Sequence, residues 1–307
     1  MEPDLRPASA GDRAAISGLL QAAELAEYGR VTADWDEIVA FIWRAPGFSP
    51  ADDARIVVLD GTPVGFVGVF PPDDGPGGGA PAEPYGAMVG LDAQVREALE
   101  ASLIDWATDR ASARGAVGVR QYVPREDARR QALLRERGFE RVRSMWTMHR
   151  DLPDPEPAQP PAGIAVVTLK DHPDHTALHA ADQEAFGEHF GFVAETFQGW
   201  RARRIDVDRH DPTQWFLALD GEQVVGFLFQ VTGGLVPQVA ELGVRPAWRG
   251  RGIGTALLRH SFADIVRRGG SEVTLWVDSE NATGAVGVYE HVGMRAIVVT
   301  DVFQVDL

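Results

Sequence analysis

The sequence predicts two tandem α/β domains, each with a mixed, largely antiparallel sheet and helices on both faces. Three observations support this class. The length of 307 residues exceeds that of most single domains. A Pro-rich segment lies near the middle of the chain, and the same alternation of short apolar strands with amphipathic helices occurs on either side of it. We therefore expect two cores of similar size.

The Pro-rich segment is PDPEPAQPP, at residues 153–161. Repeated proline without an apolar period favours an extended spacer over a packed element. We expect a first domain over 1–152, a linker over 153–162 and a second domain over 163–307. A second Pro- and Gly-rich stretch, 71–84, is predicted to be a loop.

Two correspondences between the halves indicate an internal duplication. Leu59-Asp60-Gly61 and the apolar run after it match Leu219-Asp220-Gly221 and its own following run, and both predict a β-hairpin. Gly138-Phe139 precedes Asp151-Leu152 by the same number of residues by which Gly293-Met294 precedes Asp306-Leu307. The two halves therefore share their order of elements.

Each element is predicted from its apolar period, two for strands and 3.6 for helices. In the first half we expect strands at 5–8, 55–59, 64–70, 88–91 and 117–123, helices at 14–24, 34–44, 95–114 and 126–137, and closing strands after them. In the second half we expect strands at 164–169, 215–219, 224–229, 239–244 and 273–277, helices at 177–186, 194–204, 253–268 and 282–291, and a closing strand pair within 295–307.

Composition limits the partners. The 45 acidic against 29 basic residues give a net charge of −16, which repels phosphate backbones and anionic lipid, so neither nucleic acid nor membrane is expected as a partner. The chain has no Cys, which excludes disulfides, thiolate catalysis and Cys-bound zinc. An acidic, polar start and the lack of a long apolar run predict a soluble cytoplasmic protein, with monomer and homodimer both open.

The clearest chemical signal is the turn Arg249-Gly250-Arg251-Gly252-Ile253-Gly254-Thr255, between a predicted strand and a predicted helix. Successive N–H groups in such a turn point inward, and the helix N-terminus adds a partial positive charge. Glycine lets the chain approach a ligand closely, and the two Arg side chains supply formal charge. The turn is therefore predicted to bind an anion, and a pyrophosphate suits it.

Other nucleotide motifs fit this turn less well. A Rossmann fingerprint needs glycine at the sixth place from Gly250, where the chain has Thr255. A Walker loop needs a Lys before Ser or Thr, and this segment has none. A turn that only joins strand to helix would require neither Arg251 nor the third glycine.

The turn resembles the acetyl-CoA loop of the GNAT acyltransferase superfamily, Arg/Gln-x-x-Gly-x-Gly/Ala, position for position over 249–254. The preceding Leu242-Gly243-Val244-Arg245-Pro246 is similar to the family's strand that splays to admit the pantetheine arm. The segments Asp278-Ser279-Glu280-Asn281-Ala282 and Tyr289-Glu290-His291-Val292-Gly293-Met294 resemble its Asn-x-x-Ala and Tyr-x-x-x-Gly-Phe blocks, with Met in place of Phe. The tandem layout is similar to that of mycothiol synthase-like actinobacterial acetyltransferases.

The resemblance implies an acetyl-CoA-dependent N-acetyltransferase that acts without a metal. A small-molecule primary amine would attack the thioester directly. The implied cofactor-binding residues are Leu242, Gly243, Val244, Arg249, Gly250, Arg251, Gly252, Ile253, Gly254, Thr255 and Asn281. Val244 would donate its N–H to the thioester oxygen, and Asn281 would cap the helix 282–291. Tyr289 would be the general acid for the thiolate, the alternative being an ordinary core aromatic.

The residue that takes the proton from the acceptor amine is harder to assign. Family members commonly place a Glu early in the strand before the loop, where this chain has Gln238. Glu241 is the substitute if a β-bulge turns its side chain toward the substrate. Without a bulge, strict alternation would put Gln238 and Glu241 on opposite faces of the sheet. The alternative interpretation of Glu241 is a carboxylate at the sheet edge that has no catalytic role.

The first half lacks the corresponding site residues. By the shared offset Tyr289 corresponds to Leu134 and Asn281 to Glu126, and residues 91–96 contain no glycine. We expect acetyl-CoA at the second half only, with the first half as a scaffold or as one wall of the acceptor site. The degenerate first half and Gln238 also suggest a rival interpretation, a non-catalytic acyl-CoA-binding or interaction protein.

A few other residues bear on chemistry. The tract 171–179 holds three His and two Asp, which suggests a metal site but also fits a helix start. Glu188, His189, Phe192 and Trp200 fall in the family's acceptor-facing region, or equally on the surface. Trp276 is predicted to be a core residue.

Overall fold

In the computed structural model the described residues are 3–31, 33–44, 47–69, 81–153, 159–190, 192–207, 210–232, 235–281 and 283–307. They form two compact units. Unit 1 contains the described residues up to Arg143 and Thr300–Leu307, and unit 2 contains those of Ser144–Val299. Most of the predicted loop 71–84 and residues 154–158 of the predicted linker lie outside the described residues.

Unit 1 is built on antiparallel strands. Its strands are β1 (Asp4–Pro7), β2 (Ala54–Leu59), β3 (Thr62–Gly68), β4 (Tyr85–Met88) and β5 (Gly118–Pro124), and its helices are α1 (Arg13–Tyr28), α2 (Trp35–Ile42), α3 (Pro50–Asp53), α4 (Ala93–Ala113) and α5 (Ala128–Arg135). The first four strands pair in chain order. Ile16 and Val39 from α1 and α2 pack in one apolar cluster, and Leu103 and Ala107 from α4 pack in another. Helices therefore supply two separate apolar layers of this unit.

Unit 2 carries the glycine-rich turn. Its elements are β6 (Glu140–Asp151, from Ser144 onward), β7 (Ile164–Thr168), α6 (His175–Phe186), α7 (Phe197–Arg204), β8 (Trp215–Asp220), β9 (Gln223–Val231), β10 (Gln238–Val244), α8 (Ile253–Arg267), β11 (Glu272–Asp278), α9 (Ala285–His291) and β12 (Arg295–Asp306, up to Val299). The order across the sheet is β7-β8-β9-β10-β11-β6, and of these pairs β10–β11 is the parallel one. This mixed, largely antiparallel sheet is the architecture that the sequence predicts.

Alternation along the strands of unit 2 sends apolar side chains to both faces. Leu228 and Leu275 pack with Leu257 of α8 on one face. Leu217 and Phe227 pack on the other face with helices α6 and α7, whose Trp200 is fully buried. Helices thus cover both faces of the sheet. The ends of the strands are left uncovered, and the candidate site lies there.

The hairpins predicted from the repeated Leu-Asp-Gly form in both units. Asp60 and Gly61 have φ of 52° and 78° between β2 and β3, and Gly221 has φ of 60° between β8 and β9. Both hairpins carry a register shift just before the turn, at Val57/Val58 and at Ala218/Leu219. The shared bulge supports the duplication.

The unit boundaries differ from the two sequence halves at their closing strands. Residues 145–151 of β6 pair with β11 in unit 2, and residues 300–306 of β12 pair with β5 in unit 1. The repeat makes the two 12-residue strands equivalent in pattern, so local sequence does not specify which strand each one pairs with. The closing strand pair predicted within 295–307 is wrong, because β12 is one continuous strand.

Candidate active site

The glycine-rich turn leads directly into α8. Gly250 and Gly252 have φ of 73° and 80°, a conformation that glycine adopts at little cost. Gly252 is the residue before the helix, and no side chain caps the first turn. The turn therefore presents backbone alone at the positive end of α8.

All but the first of the amides in this turn lack an acceptor among the described residues. Arg249 donates its N–H to the carbonyl of Pro246, and the next donor along the chain is Ala256, which bonds to Gly252. Among the described residues, no N–H of positions 250–255 has a backbone or side-chain acceptor. Six successive donors at a helix N-terminus form the kind of cradle that binds phosphate oxygens.

The two Arg side chains of the turn have different roles. Arg249 donates to the carbonyls of Val244 (3.1 Å) and Ala185 (3.0 Å) and to the carboxylate of Glu188 (2.6 Å). It ties the turn to β10 and to the end of α6. The exposed Arg251 donates to the carbonyl of Ala247 (3.0 Å). Arg249 thus positions the loop, and Arg251 is the more accessible cation.

The strand before the turn splays from its parallel neighbour. β10 pairs with β11 only at Gln238↔Thr274 and Val239↔Leu275, whereas it pairs with β9 as far as Val244. Arg245 donates its N–H to Val225 on β9, so alternation directs the N–H groups of Leu242 and Val244 toward the open side. This is the geometry that the resemblance implies for these two residues.

Gly243 is required by packing. A Cβ at this position would lie 2.5 Å from Cζ of Phe227 and 3.1 Å from Cβ of Ala185. At Gly254 the corresponding contact is an ordinary 3.6 Å, to Val288. The sequence motif alone does not distinguish a glycine that faces a ligand from one that faces a core aromatic.

We expect Gly243→Ala to lower the free energy of unfolding by about 1–3 kcal/mol, because the added methyl overlaps the ring of Phe227. Gly287→Ala in α9 is the matched control, since a Cβ there has no neighbour within 4 Å. Urea unfolding followed by tryptophan fluorescence measures both. Equal stability of the two variants would contradict this packing role.

Glu241 follows a β-bulge in β10. The register shifts between Val239 and Glu241, which is the condition for the side chain of Glu241 to turn. Val239 packs with the α8 cluster, and Glu241 forms an ion pair with Arg204 of α7 on the opposite face. Its second oxygen, Oε2, is buried and has no hydrogen-bond partner among the described residues.

Tyr289 lies in α9 and is 7% exposed. It belongs to the apolar cluster beneath α8, and burial raises its pKa to about 12. Its hydroxyl has no hydrogen-bond partner within the described part of the chain, so the proton that it keeps at neutral pH is not committed to another protein group. Tyr289 can therefore offer this proton to a ligand, although the raised pKa makes it a weaker acid than a free phenol.

Asn281 does not cap α9, contrary to the sequence prediction. The helix starts at Ala285, and the carboxamide oxygen of Asn281 accepts the N–H of Thr283 (2.9 Å) in an Asx turn. Its Nδ2 lies 3.3 Å from Nε2 of His189. Burial, with the charge of Arg249, lowers the pKa of His189, so a neutral imidazole lies between the turn and the end of β11.

The structure contradicts the predicted environments of two tryptophans and accounts for the His- and Asp-containing tract 171–179. Trp200, predicted to face the acceptor or the surface, is fully buried against the sheet, whereas Trp276, predicted to be core, is 47% exposed on β11. Asp174 accepts the N–H of Ala177 and caps α6. Within the described ranges, no group of three or more His, Cys, Asp or Glu is arranged to hold a metal ion.

A sequence profile of the acetyltransferase (GNAT) family matches residues 163–294. The mycothiol acetyltransferase of Thermobispora bispora is 30% identical over 292 residues, which is 92% of each chain. The chain belongs to the GNAT acetyltransferase family. Membership confirms the predicted acyltransferase class, and GNAT enzymes use acetyl-CoA as co-substrate.

Other relatives refine the comparison. The mycothiol acetyltransferase of Catenulispora acidiphila is 35% identical over 170 residues, so the match spans about half of each chain. A GCN5-related N-acetyltransferase from Sphaerobacter thermophilus superposes with a TM-score of 0.84 at 28% identity, over 99% of this chain and 95% of that one. A tandem GNAT protein from the clavulanic acid biosynthesis pathway has a TM-score of 0.72 at 19% identity, over 99% and 98%. These neighbours confirm the predicted fold class. None of the helices in the described segments has the length and apolar character to cross a membrane.

Proposed function

We propose that this GNAT protein transfers the acetyl group of acetyl-CoA to a small-molecule primary amine, by direct attack on the thioester at unit 2. The observation that carries the proposal is the run of unpaired amides at 250–255, beside the splayed end of β10. These residues fit a diphosphate, because an anion of that size finds N–H donors and an exposed Arg251 there, in a protein with a net charge of −16.

In this proposal the amides of 250–255 hold the diphosphate, and the open side of β10 receives the pantetheine arm. The N–H of Val244 donates to the thioester oxygen and stabilises the charge that develops on it. The N–H and carbonyl of Leu242 lie on the same open side for the arm's amides. Asn281 and Thr255 border the bound cofactor.

The proton transfers fall to two side chains. Glu241 takes one proton from the acceptor ammonium, which makes the nitrogen nucleophilic. Tyr289 donates its phenolic proton to the departing thiolate, and the second proton that the nitrogen loses on becoming an amide restores the phenol. The position of Tyr289 in the motif, with a hydroxyl that stays protonated at neutral pH, supports the second role, and the bulge that turns Glu241 supports the first.

Full-length protein incubated with acetyl-CoA and a panel of primary amines tests the proposal, with release of free thiol as the readout. We expect release that depends on the amine. Tight CoA binding without thiol release on any acceptor would contradict the proposal and favour the non-catalytic acyl-CoA-binding interpretation.

Replacement of Glu241, the proposed base, is expected to lower kcat by a factor that depends on pH. We expect Glu241→Gln to lower kcat about 10- to 100-fold at neutral pH. The loss should shrink as pH rises toward the pKa of the free acceptor amine, because the substrate then arrives already deprotonated. Glu222→Gln, in the exposed turn between β8 and β9, is the control. A defect of equal size at every pH would argue against a base.

A further inference from the structure

Three carboxylates meet on the face of the unit 2 sheet that α6 and α7 cover. Asp182 lies on α6, Glu195 lies between α6 and α7, and Glu241 lies at the bulge of β10. Arg204 pairs with Glu241 and also interacts electrostatically with Asp182, which in turn interacts with Glu195. Sequence alone indicates only Glu241, because the other two are far from it in the chain.

Each of these carboxylates has an oxygen without a partner among the described residues. Asp182 is only 2% exposed, yet its Oδ1 accepts no hydrogen bond, and its Oδ2 accepts one, from Gln183 (2.9 Å). Oε2 of Glu195 and Oε2 of Glu241 are likewise buried without a partner. A buried acceptor without a donor destabilises the folded protein, the more so if it is charged, so such atoms mark places where a ligand can supply the donor.

The charges around the cluster do not balance within the described part of the chain. Arg203 pairs with Glu195 and Arg204 with Glu241, and the imidazole of His179 also faces Asp182. With His179 counted as neutral, the three carboxylates and two guanidinium groups have a formal charge of −1. Burial raises the pKa of Asp182 even though Arg204 and the Gln183 hydrogen bond act in the opposite direction. Among the described residues the cluster thus has one carboxylate more than it has guanidinium groups.

We propose that Asp182, Glu195 and Glu241 form the subsite that binds the acceptor's ammonium group, and that they select amines with a net positive charge. A primary ammonium brings one charge and three N–H donors, which matches the excess carboxylate and the three unpartnered oxygens. In the absence of acceptor, Arg204 is the cation that neutralises Glu241. The inference rests on the proposed function and assigns Asp182 and Glu195 to it as binding residues.

Three probes of equal chain length test the subsite: 4-amino-1-butanol, 4-aminobutanoate and 1,4-butanediol. Calorimetry on the CoA-saturated full-length protein measures each affinity. We expect the amino alcohol to bind at least about tenfold more tightly than the other two, because only it brings an uncompensated ammonium. Equal binding of the amino alcohol and the diol, or no measurable binding of either, would overturn the proposal.

Two variants locate the effect. We expect Asp182→Asn and Glu195→Gln each to weaken binding of the amino alcohol about tenfold or more and to leave CoA affinity unchanged. Glu222→Gln should bind both ligands as the parent does. Circular dichroism establishes that each variant is folded, and a folded Asp182→Asn with parental amine affinity would refute the role of Asp182.

The outcomes separate this inference from the proposed function. If Asp182→Asn and Glu195→Gln transfer acetyl groups with an unchanged KM for the amine, the subsite is wrong and the acetyltransferase proposal stands. If amines bind as expected but no acceptor releases thiol, the acetyltransferase proposal is wrong and the cation subsite stands.

Discussion

Tyr289→Phe is expected to lower kcat by about a hundredfold or more, with little change in CoA affinity. The substitution removes only the hydroxyl. The ring stays in the apolar cluster beneath α8, so the fold should be preserved. Without a positioned proton donor the thiolate must leave as an anion, which raises the barrier for collapse of the intermediate. Stopped assays of thiol release, with CoA affinity from calorimetry, measure the two effects separately.

The pH profile gives a second test of Tyr289. Because its pKa is raised to about 12, the phenol remains protonated from neutral pH to about pH 9. The parent enzyme should therefore show no loss of rate from this group over that range. Leu134, the unit 1 counterpart of Tyr289, provides the control, and Leu134→Met should leave kcat unchanged. A parental rate in Tyr289→Phe would remove Tyr289 from the mechanism.

Gly252→Asp is expected to weaken CoA binding at least about a hundredfold. The carboxylate would lie beside the bound diphosphate, where two like charges about 4 Å apart repel by several kcal/mol at an effective dielectric constant of about 20. Gly252→Asn is the matched control, because Asn has the same size and tolerates the same positive φ without the charge. The ratio of the two affinities isolates the electrostatic part.

A unit 1 control accompanies this variant. Gly90 also has a positive φ, and a Cβ there has no neighbour within 4 Å. We expect Gly90→Asp to leave CoA affinity unchanged and the parent to bind one CoA per chain. Two CoA molecules per chain would contradict the expectation that only the second half binds the cofactor.

The sequence is most informative where the chemistry is local. The turn 249–255 can be interpreted from its residues because each glycine acts on its own backbone and the helix start follows directly. The hairpins at Asp60-Gly61 and Gly221 are similarly local. From the sequence, a β-bulge beside Glu241 could be given only as the condition for this side chain to face the substrate, because the bulge decides on which face of the sheet it lies.

What depends on distant partners could not be predicted. The sequence places Trp200 and Trp276 in the wrong environments, because it does not show which strand positions a helix covers. The exchange of β6 and β12 between units is hidden for the same reason. Asp182 and Glu195 reach Glu241 only through the packing of α6 and α7, and no spacing in the chain links the three.

The proposed function depends above all on residues 250–255, whose main-chain amides hold the diphosphate of CoA in our proposal. A crystal structure of the full-length protein with acetyl-CoA tests this most directly. We predict diphosphate oxygens about 2.7–3.2 Å from the backbone nitrogens of this turn, with the thioester beside Val244 and Tyr289. A nucleotide bound elsewhere, with those amides bonded to protein carbonyls, would contradict the proposal.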